Sequence, residues 1–569
     1  AKDGVYLAAQ TGAIVYATAA ASPTTAKTIN VTSAGQYYFD GTVWQAVPKG
    51  SAIVDLRLVN GTSHITQDAG VGSNGTTAGA ADVIAIGAGA GNANAAVQNM
   101  FIGSGAGNAN TTGTPNTFIG YQSGYSNTTG IENTMVGYQT GMASTTATNT
   151  SAFGYRAGMS NLTGLYNTFI GSRAGELTTT GINTFVGHAA GLVNTTGSNN
   201  TFIGFASGAA NTTGTFNVFL GALAGKNSTS GSENYFSGYS AGSGNTTGQR
   251  NHIVGLNAGR VNAAADENHY DGYKTGYYST GSKNTFIGYQ TGFNNTTGSN
   301  NTFLGYESGL NNTTAANNHF AGYQAGYSNT TGTPNTFIGY QSGYSNTTGI
   351  ENTMVGYQTG MASTTATNTS AFGYRAGMSN LTGLYNTFIG SRAGELTTTG
   401  INTFVGHAAG LVNTTGSNNT FIGFASGAAN TTGTFNVFLG ALAGKNSTSG
   451  SENYFSGYSA GSGNTTGQRN HIVGLNAGRV NAAADENHYD GYKTGYYSTG
   501  SKNTFIGYQT GFNNTTGSNN TFLGYESGLN NTTAANNHFA GYQAGYSNTT
   551  GTPNTFIGYQ SGFSNTTGN

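Results

Sequence analysis

The sequence predicts an all-β protein built as a parallel β-solenoid, and three observations predict it. One seventeen-residue phrase, Asn-Thr-Phe-Ile-Gly-Tyr-Gln-Ser-Gly-Tyr-Ser-Asn-Thr-Thr-Gly-x-x, recurs from about residue 83 to residue 569. Self-similarity at so short a period marks units that stack on one another. No apolar spacing in the phrase fits a helix, and 94 glycines would break one. The 30 Phe and 35 Tyr stand in register, which excludes a disordered low-charge polymer.

Residues 1–70 differ from the rest and predict a small β module, a cap or connector. Gly35 to Val47 reads as a β-hairpin with Asp40-Gly41 at its turn and holds Trp44, the one tryptophan. The flanks, Ala13 to Ala17 and Ile53 to Leu58, read as short strands. Repeat rods need such covering at their ends to avoid edge pairing. Gln67 to Ala81 is rich in Gly, Thr and Ala and reads as a linker, which divides the chain into 1–70, 71–82 and 83–569.

The phrases are indexed by the glycine after the apolar pair, as in Gly87, Gly103, Gly120 and Gly137. The steps are 17 residues with occasional steps of 16, and about 29 coils result. Residues 115–333 return without a change as 334–552, and a third copy starts at Pro553. Recombination of repetitive DNA produces such copies unaided; selection for length does so too. Either way nearly every residue of a site would exist twice. At about 4.8 Å per coil the rod would be roughly 140 Å long.

Each column of the phrase has a physical reading, with the indexing glycine as position 0. Phe118 at −2 and Ile119 at −1 point to opposite faces of a strand. Both columns are mostly apolar, so burial on both faces is expected. One coil has a single inside, and another copy of the chain is the economical cover for the other face. Gly120 and Gly137 at 0, and Gly124 and Gly141 at +4, imply close backbone approach or positive φ. Asn116 and Asn133 at −4 predict an amide ladder, with Thr150 the first exception. Asn127 to Gly130 reads as turn chemistry.

Composition excludes several functions. Charged residues are only 7% of the chain and the formal net charge is −1, so there is no basic surface for nucleic acid. No stretch reads as a membrane-spanning helix. The chain has no cysteine, which leaves its redox compartment open. It starts without Met and stops inside a phrase, which reads as a processed chain or an excised piece.

The search for chemistry yields little. His252, His269 and His319 share column −3; stacked histidines can hold a metal, or simply replace Thr on a solvent face. Glu132, Glu176 and Glu233 are scattered, and no Ser/His/Asp grouping or phosphate loop stands out, so neither an enzyme nor a cofactor is expected. Asp271 and its copy Asp490 depart from the apolar −1 column. If that column faces a three-fold axis, three carboxylates would meet there and raise their pKa or hold a cation. Alternatively the column is only partly buried at this coil, with Lys274 nearby. Asn-x-Thr sequons abound as a by-product of the turns.

Asn116-Thr117-Phe118-Ile119-Gly120 resembles the Asn-Ser-x-Ala-Ile-Gly core of the YadA-like heads of bacterial trimeric adhesins, left-handed parallel β-rolls. The whole phrase resembles the Asn-Thr-x-(Ile/Leu)-Gly-Tyr-x-(Ala/Ser)-Gly-x-x-Asn-Thr-Thr-Gly repeats of phage-type tail fibres and bacterial surface proteins. The likeness covers about 85% of the chain. The phrase is longer than the adhesin coil, which should enlarge a loop.

The resemblance implies a homotrimeric, exported, surface-exposed fibre. The leading expectation is therefore a structural extracellular stalk or filament, with the chain itself as partner and end-to-end joining through the N-terminal module. A second is an adhesin whose outward columns, such as Tyr121, Tyr138 and Tyr155, bind glycans or a host surface. A third is ice binding by the Thr128 and Thr129 columns, disfavoured because they sit in a turn.

Overall fold

The computed structural model describes residues 14–17, 35–39, 42–46, 65–66 and 83–568. The expected strand over Ile53 to Leu58, the Asp40-Gly41 turn and the linker 67–81 lie outside them. Strands β1 (Ile14–Ala17), β2 (Gly35–Phe39) and β3 (Trp44–Ala46) form an antiparallel sheet in chain order. Phe39 pairs with Trp44, and their rings lie 5.4 Å apart. Alternation buries Tyr37, Phe39 and Trp44 and leaves Tyr38 outside.

β4 (Ile65–Thr66) runs antiparallel to β5 (Ile84–Ile86). From β5 to β33 (Thr555–Ile557), 29 strands stack in 28 parallel steps, one strand per phrase. The fold is therefore the all-β parallel solenoid the period predicted, and the described residues contain no helix. Register is locked so that each residue pairs with its equivalent one coil away: Asn116 with Asn133, Phe118 with Met135, Ile119 with Val136. The stack is open rather than closed into a barrel. Among the described residues β33 pairs only with the strand before it, His538–Ala540.

Hydrogen bonding continues beyond the strands. Gly124 donates to Thr140 at 2.9 Å, Ser126 to Met142 at 3.0 Å and Thr128 to Thr145 at 2.8 Å. In the other direction Gly137 donates to Ile119 at 2.7 Å and Gln139 to Tyr121 at 2.8 Å. Coils are thus tied around their perimeter, so their backbones ride against one another.

That closeness explains the glycines. A Cβ on Gly120 would stand 2.2 Å from the Gly137 carbonyl oxygen, and φ there is +129°. A Cβ on Gly124 would stand 2.6 Å from the Phe118 ring. Two further corners per coil take positive φ without glycine: position +2, as in Gln122 (50°), and position −5, as in Glu132 (58°). These conformations normally cost an L-residue about 1 kcal/mol or more. Here they persist because the flanking groups are bonded to the next coil: Asn149 donates to Ile131 at 3.0 Å and Gln139 to Tyr121 at 2.8 Å.

The core is thin. The −2 side chain is fully buried in coil after coil, as with Phe118, Met135, Phe169 and Phe202. Successive rings stack face to face, Phe185, Phe202, Phe219 and Phe236 at 4.7–4.8 Å with tilts of 5–9°. Small residues at +3, such as Ser123 and Ala157, leave room for the ring. Tyr270 adds a hydroxyl to this column; Ser279 in the same coil takes its hydrogen bond at 2.8 Å. Burial pushes the Tyr270 pKa well above the usual phenol range, so it stays neutral.

Gly120→Ala should remove about 2–4 kcal/mol locally, from backbone clash and strain together. Hydrogen exchange should speed up in the coils around residues 103–154 while distant coils keep their protection. Uniform protection in the variant would contradict the close-contact account.

Candidate functional site

Two buried columns of Asn side chains run along the stack, the second in segments interrupted at Ser144, Thr178 and Ser228, whose hydroxyls have no hydrogen-bond partner. In the first, the −4 ladder expected from sequence, the backbone N–H of Asn133 donates to Asn116 Oδ1 at 3.0 Å. The Asn116 Nδ2 donates to the Gly130 carbonyl at 2.9 Å. Thr150 accepts its place by donating its N–H to Asn133 Oδ1 at 2.9 Å. It has no amide to pass on, and Asn161 of the other ladder covers the gap, donating to Thr150 Oγ1 at 3.3 Å and accepting from Asn167 at 3.3 Å.

The second column departs from the turn chemistry that the sequence predicts for Asn127 to Gly130. Asn127, read as a turn residue, is fully buried, and its Nδ2 donates to Asn110 Oδ1 at 2.6 Å and to the Gly130 carbonyl at 3.1 Å. The available signal was the column itself: Asn110, Asn127, Ser144, Asn161, Thr178 and Asn194 are always amide or hydroxyl. Loop turns do not demand that constancy; a buried hydrogen-bond position does. The sequon nitrogen of Asn127 is therefore committed inside the fold.

The site residues of the sequence reading divide accordingly. Asn116, Asn133, Phe118, Gly124 and Gly141 are buried, while Gly120 and Gly137 lie half-buried against the neighbouring backbone. Ile119 is half-buried, and its column is open in one chain: Phe153 is 39%, Ile170 42% and Ile203 42% exposed. The chain closes only one face of its strands. Asp271 and Asp490 lie exposed in that same column. The Lys274 ammonium stands over the Tyr273 ring, 5.2 Å from its centroid.

His252 and His269 stack at 4.7 Å with a 6° tilt, on the outward strand face beside Asp271. His319 lies three strands further on and does not join them. No group of three metal-ligating side chains occurs among the described residues. Burial and the neighbouring His269 hold His252 below the usual histidine range, against a smaller opposing pull from Asp271. His471 is lowered in the same way.

The acidic residues stay apart. Glu132 and Glu233 occupy exposed −5 corners. Glu176 is buried and accepts from Arg156 at 2.9 Å and Arg173 at 2.5 Å, an ion triad that pins neighbouring coils. The Thr128 hydroxyl donates to the Thr145 carbonyl at 3.1 Å, so this column is tied into the backbone ladder. Outward at +1, tyrosines stack: Tyr121, Tyr138 and Tyr155 at 5.1–5.3 Å, and a longer run from Tyr273 to Tyr374. No described helix is long and apolar enough to cross a membrane.

Comparison with protein-family models, with curated proteins and with solved structures finds no match.

Two outcomes are expected. Asn200→Ala removes the acceptor of the Asn217 N–H at 2.9 Å and one of the two donors to the Gly214 carbonyl, which keeps Asn211 at 3.1 Å, and should cost about 1–3 kcal/mol in chemical denaturation. A histidine whose folded pKa is lowered supplies stability above about pH 6.5 that is lost as pH falls. The melting temperature should therefore drop between pH 7 and pH 5, and His252→Gln with His471→Gln should flatten that slope. An unaltered slope in the double variant would remove the histidine pairs as its cause.

Proposed function

We propose that the chain is a subunit of a structural extracellular fibre, a rigid homotrimeric stalk that gives reach from a cell or particle surface. The observation that carries this reading is the outward strand face. Ile119, Val136, Phe153, Ile170 and their equivalents form an apolar column that one chain leaves open. Burying the remaining exposure of each such side chain is worth about 0.5–1 kcal/mol. Over some two dozen coils this reaches on the order of 10–20 kcal/mol per chain, comparable to or above the roughly 4–15 kcal/mol cost of association. In a trimer with this column on its axis, the Asp271 carboxylates of three chains would meet. The N-terminal strands serve as cap or connector. The duplication of residues 115–333 fits a protein whose useful quantity is length.

A second reading, an adhesin, has the stacked tyrosines in its favour. Tyr289, Tyr306, Tyr323 and Tyr340 are about two-fifths exposed and form a continuous aromatic stripe. Such rings offer flat apolar faces to sugars or to another surface.

Negative-stain microscopy and mass photometry of the purified chain test the fibre. Rods of three chains are expected, about 130 Å long or joined lengthwise. Isolated short rods would reject the filament version, and monomers would reject the fibre altogether. Ile170→Lys and Ile203→Lys, with their copies Ile389→Lys and Ile422→Lys, should release monomers that keep the β signature in circular dichroism.

A further inference from the structure

The 16-residue coil from Gly272 to Gly288 changes the surface beside it. Position +6 carries small residues in most coils, such as Ser126, Ala143 and Ala210, but here it is Tyr278. The ring is wedged edge-on against Tyr277 at 4.6 Å and Phe293 at 5.3 Å. Tyr277 in turn stacks on Phe293 at 5.1 Å and accepts a hydrogen bond from Arg260 at 2.6 Å. Tyr278 is thus 44% exposed and held from behind.

From this wall an open groove of about 450 Å³ runs over the next three coils. Asn294, Asn311 and Ser328 line it from one column, and Thr296, Thr313 and Thr330 from another. The second block repeats the groove residue for residue beside Tyr497. None of the lining residues is charged. Thr296 and Thr313 donate their hydroxyl protons to the backbone carbonyls of Thr313 and Thr330, at 2.9 and 3.0 Å, so their oxygens remain as acceptors. Asn294 donates to Asn311 Oδ1 at 3.0 Å, which leaves the Asn311 NH2 with no hydrogen bond to the described residues.

We propose that these two grooves bind a neutral oligosaccharide. The apolar face of one sugar ring would lie on Tyr278, and the hydroxyls of the following rings would pair with the Asn311 amide and the threonine oxygens. The coil repeat of about 4.8 Å, close to the length of one sugar ring, presents the same donors and acceptors at each step. An anion finds no cation in the lining, and an apolar segment would bury the Asn311 amide unpaired, so both are discriminated against. The wall is fixed by its neighbours before binding, which lowers the ordering cost. Thirteen coils, about 60 Å, separate the two grooves on one rod, and a long glycan bridging them would gain avidity. The proposal rests on the adhesin reading for its ligand class and does not depend on fibre assembly.

Surface plasmon resonance of the full chain over immobilised cellohexaose, maltohexaose and chitohexaose tests it. At least one probe should bind. Tyr278→Ala with Tyr497→Ala should weaken that binding about tenfold or more, the loss of a stacking wall at both sites. Tyr278→Phe with Tyr497→Phe should retain it, because the wall remains. Tyr166→Ala with Tyr385→Ala, at exposed −5 corners outside both the groove and the stripe, should leave it unaltered. If the Tyr278→Ala, Tyr497→Ala variant binds like the parent while Tyr340→Ala, in the stacked stripe, loses binding, the groove is refuted and the adhesin reading moves to the stripe. Silence of all three probes would overturn the groove and count against the adhesin reading. Circular dichroism of each variant separates lost binding from lost folding.

Discussion

Each coil lies so close to the next that its backbone leaves no room for a Cβ at position 0. The distance from a Cβ on Gly120 to the carbonyl of Gly137 would be 2.2 Å, and the same contact recurs at Gly137, Gly187 and Gly288. This proximity governs the rest. It lets backbone groups outside the strand pair between coils, so a phrase with only three or four strand residues is still held around its circumference. It also fixes the vertical spacing of every side chain at the coil repeat. At that spacing flat rings stack, and amides reach the amide above. Phe, Tyr, His and Asn columns are therefore the natural content of such a rod.

A core one ring wide buries little area per residue, so polar groups inside it need complete pairing. The Asn columns supply much of this: their amides donate to neighbouring carbonyl and amide oxygens, which turns buried polar atoms into links between coils. A few buried oxygens, such as Asn127 Oδ1 and the Ser144 and Thr178 hydroxyls, have no hydrogen-bond partner. Stability then resides in nearest-neighbour contacts rather than in any central cluster. Among the described residues the grooves beside Tyr278 and Tyr497 are open, and no group of three metal-ligating side chains occurs. Where the surface becomes distinctive, as at Tyr278 or around Glu176, the departure lies in or beside a shortened coil.

Much of this was legible in the sequence because period and column identity are read directly. The −2 and −1 assignment, the glycine contacts and the first amide ladder followed from strand alternation and from residue type. The second ladder did not, because Asn127-Thr128-Thr129-Gly130 satisfies the rules for a turn equally well; only stacking reveals that Asn127 points inward. The groove beside Tyr278 was also hidden. It depends on lateral neighbours two and three coils away, and a repeat read column by column does not place columns side by side. The residues that line it looked like ordinary members of the +6 and +8 positions.

The non-glycine corners at +2 and −5 carry a consequence of their own. Position −5 holds Gln98, Glu132, Asn149, Tyr166, Ile182, Phe216, Arg250 and Lys283, all at φ between 54° and 62°. Its side chains range over acid, base, amide, aromatic and branched aliphatic. The backbone there is dictated by neighbouring coils and is indifferent to what it carries. Evolutionary change in such a molecule has a place to accumulate: two lines of exchangeable letters drawn along a lattice whose glycine and buried columns stay fixed. Surface character can be rewritten along those lines, coil by coil, without renegotiating the fold.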